Sequence, residues 1–280
     1  MDKLEYLSPQ TLAEAAELKN CYGREGRILA GGTDLLVNLK DRVIACQALI
    51  NIKSIPEMNE ISFSNEYGLS VGGAVTLNQL IENCDVQREY PVLIDSAKTL
   101  ANSLLRNRAT LLGNLCNASP AGDMLPASLV LEGLVEAMSI EGRRWISLND
   151  FFIGVKKNAL KDNEIAIRVV FPIARGKAAF TKKSRIKGHD LSQLCTAAML
   201  GEDGSLAIAL GAAGPVPVCL RLEGSFDACQ LQEGEVLEYI LNTVRRHINP
   251  ISDQRASREY RLAMAEYLTC QTLNKISKEV

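Results

Sequence analysis

The order of hydrophobic periodicities predicts a mixed helix-and-strand protein of two domains, the second of them α+β. Three observations carry this. Near the start of the chain a helix, a short buried strand, a glycine turn and another helix follow one another. A strand-like run ends at Pro172 and gives way to a stretch holding Arg175, Lys177, Lys182, Lys183, Arg185 and Lys187 with no acid among them, which reads as a linker, so a boundary falls near 173–178. Beyond it strand-like segments come first and two amphipathic helices last, the pattern of an α+β unit. At 280 residues the chain is long enough to bury a core without disulfides or metal.

The elements follow in order. Ser8 is a candidate N-cap, Pro9 suits a first helical position, and Leu12, Ala15, Ala16 and Leu18 recur at helical spacing up to about Gly23. Residues 27–30 read as a short buried strand that breaks at Gly31-Gly32, and Thr33-Asp34 are placed to cap a helix beginning at Leu35-Leu36. Residues 48–52 and 68–75 read as strands, and Thr76 as the cap of a helix through Leu77, Leu80 and Ile81. Residues 92–105 have helical periodicity, 109–123 read as a small, polar, glycine-containing loop, and 125–138 as a second helix rich in Leu, Val and Ala. A hairpin around Glu141-Gly142 carries the single Trp145, and 163–172 form another strand. Past the boundary come a hairpin at Asp203-Gly204 and helices over 236–248 and 256–276.

Composition excludes several classes of function. Lys+Arg 31 against Asp+Glu 33 leaves a net charge of −2, so there is no chain-wide field for nucleic acid or an anionic membrane, and any anion site is local. No apolar run reaches the roughly 18–20 residues of a membrane span; residues 207–220 are interrupted by Gly211, Gly214, Pro215 and Pro217. The first residues lack the basic start and apolar core of a signal peptide, so a cytoplasmic location is expected. The 8 cysteines stand singly with no Cys-x-x-Cys pair, and there are 2 histidines. A zinc ribbon, a cysteine-ligated cluster and a multi-histidine metal site therefore lack their usual ligands. Redox work by this chain calls for an organic cofactor.

Two segments have the character of a ligand site. At Gly31, Gly32, Thr33 and Asp34, successive backbone N–H groups leading into a helix suit a pyrophosphate, and a glycine turn between strand and helix is also an ordinary structural device. A branched side chain at Gly32 is expected to occupy the space of that pyrophosphate and leave the fold largely intact. The second segment runs from Thr110 through Gly113, Asn114, Asn117 and Ser119 to Asp123. Small and hydrogen-bonding side chains interrupted by apolar ones suit a buried polar surface facing a ligand better than a solvated loop. Asn117-Ala118-Ser119 matches a glycosylation acceptor, but nothing else marks the chain as secreted.

Together these segments resemble the FAD-binding subunit of the molybdenum hydroxylases, the xanthine dehydrogenase and carbon monoxide dehydrogenase group. The resemblance rests on Ala30-Gly31-Gly32-Thr33-Asp34-Leu35-Leu36, on Gly72-Gly73-Ala74-Val75-Thr76, and on the stretch from Arg106-Asn107-Arg108 through Leu111-Leu112-Gly113-Asn114 to Asp123. The tail Arg255-Ala256-Ser257-x-x-Tyr260-Arg261 completes it, so the landmarks span nearly the whole chain. It implies an α+β fold with a two-lobed FAD-binding domain of the vanillyl-alcohol-oxidase type over 1–174 (lobes about 1–55 and 56–174) and a small α+β domain over 175–280.

The resemblance also implies site roles. Ile28, Leu29, Ala30, Gly31, Gly32, Thr33, Asp34 and Leu35 would wrap the FAD pyrophosphate and ribityl. Thr110, Leu112, Gly113 and Asn114 would hold the phosphates from the other side, and Asp123 would bond ribose or ribityl hydroxyls. Lys182, two residues after Phe180, would touch the flavin edge or a phosphate, and Asp190-Leu191 would place Leu191 beside the isoalloxazine. The flavin would carry the chemistry, with no catalytic side chain and no metal on this chain. Electrons would arrive from two [2Fe-2S] clusters of a small subunit, fed by a molybdopterin-binding large subunit, and leave to NAD⁺. A different acceptor, or a flavin-free assembly role, are the alternatives.

The sequence departs from the family pattern at Leu112, where a glycine is usual, at Ile186, where an arginine is usual, and at His189. It lacks the cysteine-rich loop of members with an extra cluster in this subunit. Several residues carry two readings: Lys182 as a cofactor contact or part of a solvated basic linker, the basic run as a dock for an acidic partner, Cys116 as a packed or a reactive thiol, His189 as a surface side chain or a donor to the flavin or the nicotinamide, and Trp145 as core or subunit interface on one reading and a stacking platform on the other.

Overall fold

The computed structural model describes residues 4–186 and 190–278. Strand β1 (Glu5–Leu7) leads to helix α1 (Leu12–Tyr22), which starts where the Thr11 side chain accepts the Glu14 N–H at 3.2 Å. Ser8 and Pro9 thus precede the helix instead of capping it. Its C-terminal end is closed at Gly23, φ 48°, with the Lys19 ammonium donating to the carbonyls of Gly23 and Gly26. Strand β2 (Gly26–Leu29) runs into the glycine turn and helix α2 (Leu35–Lys40), followed by β3 (Ala48–Asn51). The three strands make a parallel sheet in the order β1-β3-β2, so the fully buried β3 sets its own end beside the turn that follows β2.

Strands β4 (Ile61–Ser64) and β5 (Gly68–Gly72) precede helices α3 (Leu77–Glu82), α4 (Cys84–Glu89), α5 (Pro91–Thr99) and α6 (Ser103–Arg106). Thr76 caps α3 as its sequence position predicts, in a reciprocal capping box with Gln79. The continuous helix expected over 92–105 is two helices. The chain turns at Ala101, φ 49°, and the Arg106 guanidinium donates to the carbonyls of Lys98, Leu100 and Ala101 that the break opens. The expected polar loop 109–123 contains helix α7 (Leu111–Asn117), capped by Thr110 and ended by Ala118 in the left-handed region, φ 47°. The helix expected over 125–138 stops early: α8 (Met124–Val130) ends before Glu132, φ 58°, and Gly133, and the remainder is β6 (Leu134–Ser139). A continuous apolar run fits a buried helix and a buried strand equally well, which is why periodicity merged the two.

Strands β7 (Gly142–Ser147) and β10 (Ile165–Phe171) complete a second sheet, ordered β4-β5-β10-β6-β7 and antiparallel throughout, while helix α9 (Leu148–Phe151) and a separate two-stranded hairpin of β8 (Phe152–Gly154) and β9 (Lys157–Asn158) lie between them in the chain. The basic stretch expected as a linker is largely a strand. β11 (Gly176–Lys183) pairs along its whole length with β12 (Leu194–Gly201), and β13 (Leu206–Gly211) and β14 (Val218–Leu222) extend the antiparallel sheet. Charge hid the strand, because its apolar face is made of small alanines and Phe180. Helices α10 (Gly234–His247) and α11 (Arg258–Lys278) follow. Strands and helices therefore segregate, as the α+β expectation holds.

The third sheet joins the two ends of the molecule. Leu194, Ala198, Leu200, Leu206, Ile208 and Leu210 share a core with α10 and α11. The alternate residues Cys195, Ala197, Ala207 and Ala209 belong to the large core that also holds α5, α7 and α8. Small side chains on that face allow α8 to lie close to the sheet, and this brings Asp123, just before α8, within reach of β11.

Candidate functional site

The site begins at the turn after β2. Leu29 is buried, while Ile28, Ala30, Gly31, Gly32, Thr33 and Leu35 are half-buried and Asp34 is exposed. None of the backbone N–H groups of Gly31, Gly32, Thr33 and Asp34 donates to an acceptor among the described residues. Four successive open donors on a half-exposed turn suit the oxygens of a diphosphate. Asp34 precedes α2 without a side-chain capping bond, and α2 buries none of its residues. The glycines themselves have intramolecular reasons. A Cβ on Gly31 would run into the carbonyl of Arg108 and lie 3.2 Å from Ala109 Cα, so this glycine lets the two ligand-site segments touch. Gly32 has φ 76°, and its Cβ would meet Leu36 at 2.9 Å and Leu29 at 3.0 Å. The expectation that a branched side chain at Gly32 leaves the fold intact is therefore wrong: backbone strain and two leucines oppose it first.

The second segment meets the turn through Arg108 and Ala109. Thr110, 3% exposed, spends its hydroxyl on the Gly113 N–H at 3.0 Å, and Ala109 accepts the Leu77 N–H at 2.8 Å. The amides of Leu111 and Leu112 donate to no acceptor among the described residues. Leu112, where the family pattern has glycine, points inward; its Cδ2 would lie 3.3 Å from a Cβ on Gly73, so its bulk fills the core and leaves the outer side of the helix open. Gly113 is exposed, and Asn114 Oδ1 accepts the Met124 N–H at 3.3 Å, tying α7 to the start of α8.

Asp123 and Lys182 form a buried pair that joins α8 to β11. The Lys182 ammonium donates to Asp123 Oδ2 at 2.6 Å, to the Thr99 carbonyl at 3.0 Å and to the Asp190 carbonyl at 3.0 Å, so all of its protons are taken. The Ser192 hydroxyl donates to Asp123 Oδ1 at 2.6 Å. Side-chain exposure is 6% at Lys182 and 7% at Asp123. Burial pushes the Asp123 carboxyl above its ordinary range, and the Lys182 charge and the Ser192 bond counter that push in part. Asp123 makes no capping bond to α8. Its carboxylate keeps unused lone pairs, whereas Lys182 has no proton left for a cofactor atom and is no solvated linker residue.

The loop beyond β11 is folded by its own carboxylate: Asp190 accepts the Arg185 and Leu191 amides at 3.0 and 2.9 Å and pairs with the Arg185 guanidinium. These bonds, with the pull of Arg185, hold Asp190 below its usual range. Leu191 is 60% exposed, presenting an apolar side chain next to the Lys182 contact. Lys187 and His189 lie outside the described residues. Gln193 donates to the Arg255 carbonyl at 2.6 Å, and Asp253 gathers Arg255, the Ala256 amide and the buried Arg261. The tail motif thus braces the loop that carries Ser192.

Sequence reading did not single out Lys53, Ser192 or Gln193. Lys53 comes to the glycine turn only because β2 and β3 pair in parallel, which no local spacing reveals. Ser192 directly follows Asp190-Leu191, and that adjacency was its one available signal. Cys116 is a packed thiol: burial pushes it up to about 12, far from a reactive thiolate. Trp145 is 51% exposed on the edge strand β7, which leaves the core reading without support.

Known proteins resemble this chain in sequence and in fold. The model of the FAD binding domain in molybdopterin dehydrogenase matches residues 2–174, and that of the CO dehydrogenase flavoprotein C-terminal domain matches 179–276. The chain is 30% identical over 283 residues to the xanthine dehydrogenase FAD-binding subunit of Escherichia coli O157:H7, covering 98% of this chain and 96% of the relative. It is 28% identical over 278 residues to the carbon monoxide dehydrogenase medium chain of Hydrogenophaga pseudoflava, covering 97% and 96%. Among solved structures it resembles carbon monoxide dehydrogenase from Hydrogenophaga pseudoflava (TM-score 0.89, 27% identity, 98% and 97% of the two chains). Quinoline 2-oxidoreductase from Pseudomonas putida 86 is similar to the same degree (TM-score 0.88, 27% identity, 99% and 98%).

Proposed function

The chain belongs to the FAD-binding subunits of the molybdenum hydroxylases, an oxidoreductase family of xanthine and carbon monoxide dehydrogenase type, and on that premise we propose that it takes electrons from [2Fe-2S] clusters of a small subunit and delivers them to NAD⁺. A molybdopterin-binding large subunit completes the proposed cytoplasmic heterotrimer. Among the described residues no helix is long and apolar enough to cross a membrane. Residues 1–174 serve as the FAD-binding part, with lobes about 1–55 and 56–174, and 175–280 as the domain that closes over it.

The observation that carries the reading is the run of open amides at Gly31–Asp34 backed by the Arg108 carbonyl. These amides take the diphosphate oxygens, and residues Ile28 to Leu35 line the diphosphate and ribityl. The open amides of Leu111 and Leu112 face it from the opposite side, with Gly113 and Asn114 lining that turn and Thr110 holding it in shape. Asp123 accepts from ribose or ribityl hydroxyls with the lone pairs that Lys182 and Ser192 leave free. Lys182 acts by fixing Asp123 and the Asp190 carbonyl, and Leu191 supplies an apolar surface beside the ring. When bound, FAD supplies the redox chemistry, exchanging electrons singly with iron–sulfur centres and in pairs with a nicotinamide. The residues of the chain orient it and limit water; none serves as acid or nucleophile.

The test is a visible spectrum of the full chain with FAD, followed by anaerobic NADH. Bleaching of the flavin band by NADH supports the acceptor. A bound flavin that NADH leaves oxidised, also in the assembled complex, points to a non-nicotinamide acceptor.

A further inference from the structure

Two cations flank the glycine turn and have no counter-ion among the described residues. The Lys53 ammonium donates to the Ala30 carbonyl at 3.1 Å and to Asn51 Oδ1, which leaves one of its three protons unused directly beside Gly31. Arg108 puts its backbone carbonyl against Gly31, and its exposed guanidinium makes no hydrogen bond and no ion pair among the described residues. Asp34, on the same turn, pairs with neither. Burial first, and then the Arg108 charge, lower the pKa of Lys53, so the two cations are close enough to repel. A protein that stacks like charges against four open amides without a carboxylate to balance them has an arrangement complete only with an anion.

We propose that Lys53 and Arg108 are the diphosphate-binding cations of this chain and make it select a dinucleotide flavin over riboflavin. Each charge meets the diphosphate at the edge of the amide run: Lys53 from the β3 side with its free proton, and Arg108 from the α7 side with a planar fork suited to two oxygens. The inference rests on the turn being a FAD site. It adds a charge requirement that the backbone alone does not impose, since amides bind an anion without selecting how many charges it carries.

The experiment titrates FAD and riboflavin into the flavin-free full chain, for the unaltered protein, Lys53→Gln, Arg108→Gln, the double variant and Lys53→Arg, at low and high salt. Inorganic pyrophosphate serves as a competitor. The expected result is a roughly tenfold weaker FAD affinity in each Gln variant, a flatter salt dependence in the double variant, and unchanged riboflavin affinity. Lys53→Arg should keep most of the affinity, and pyrophosphate should displace FAD from the unaltered chain but lose that effect in the double variant. Variants that bind FAD as tightly as the unaltered chain, with the same salt dependence, overturn the inference and leave the FAD reading standing. An unaltered chain that is folded and binds no FAD overturns both.

Discussion

The glycine turn and the Asp123–Lys182 pair solve opposite problems with the same kind of chemistry. At the turn, polar groups are left unspent: among the described residues four amides donate to no acceptor and two cations have no counter-ion, and the residues around them are half-exposed. At the pair, every strong donor is spent: Lys182 uses three protons and Ser192 its hydroxyl, and both charges are buried. The first arrangement costs little to form and gains when a ligand arrives. The second is formed against a desolvation penalty and fixes where two parts of the fold meet. On the proposed function, binding capacity sits in the open region, and geometry is set by the closed one.

Four changes separate these roles, taken from the largest expected effect down. Lys182→Met leaves Asp123 buried without its charge partner and should cost about 3–5 kcal/mol in urea unfolding. Adding Asp123→Asn should recover part of that loss, and full additivity of the two would break the paired-charge account. Gly31→Ala drives a methyl into the Arg108 carbonyl and should cost about 1–3 kcal/mol while sharply weakening FAD retention. A variant with normal stability and normal flavin content would show that the two segments need not touch. Thr110→Ala removes the bond to the Gly113 amide and should cost about 1 kcal/mol, with a modest loss of FAD affinity by titration.

The remaining change is read in acid. At Asp253 burial opposes ionisation, but bonds from the Arg255 amide, the Arg255 and Arg261 guanidinium groups and the Ala256 amide more than offset it, so its pKa is well below the usual carboxylate range. A carboxyl depressed in the folded state gives stability that is fully present above its unfolded value, near 3.9, and lost as pH falls toward the folded value. Asp253→Ala should therefore flatten the stability curve below about pH 4 relative to the unaltered chain. Acid limbs of equal slope would remove Asp253 from the bracing of the 190–193 loop.

What was legible in the sequence follows the same division. The open region is written locally: a strand, two glycines and a following helix are adjacent in the chain, and Thr76 announces its cap by type and position. The helix in 109–123 was hidden because Gly113, Asn114 and Asn117 carry loop composition, and only the Thr110 cap and the packing of Leu111, Leu112 and Leu115 decide for helix. The closed region joins residues far apart in sequence. Asp123, Lys182 and Ser192 meet because β11 folds against α5 and α8, and β11 itself was masked by its lysines. Lys53 needed the parallel pairing of β2 with β3. Resemblance to the family pointed to Asp123 and Lys182 individually, but their mutual bond is visible only in three dimensions.

The most direct test of the central claim is the stoichiometry of FAD binding to the flavin-free full chain, measured by calorimetric titration alongside Gly31→Ala. The account predicts one FAD per chain, with binding lost or strongly weakened in the variant. A folded, unaltered chain that takes up no FAD would contradict it, as would equal binding by chain and variant.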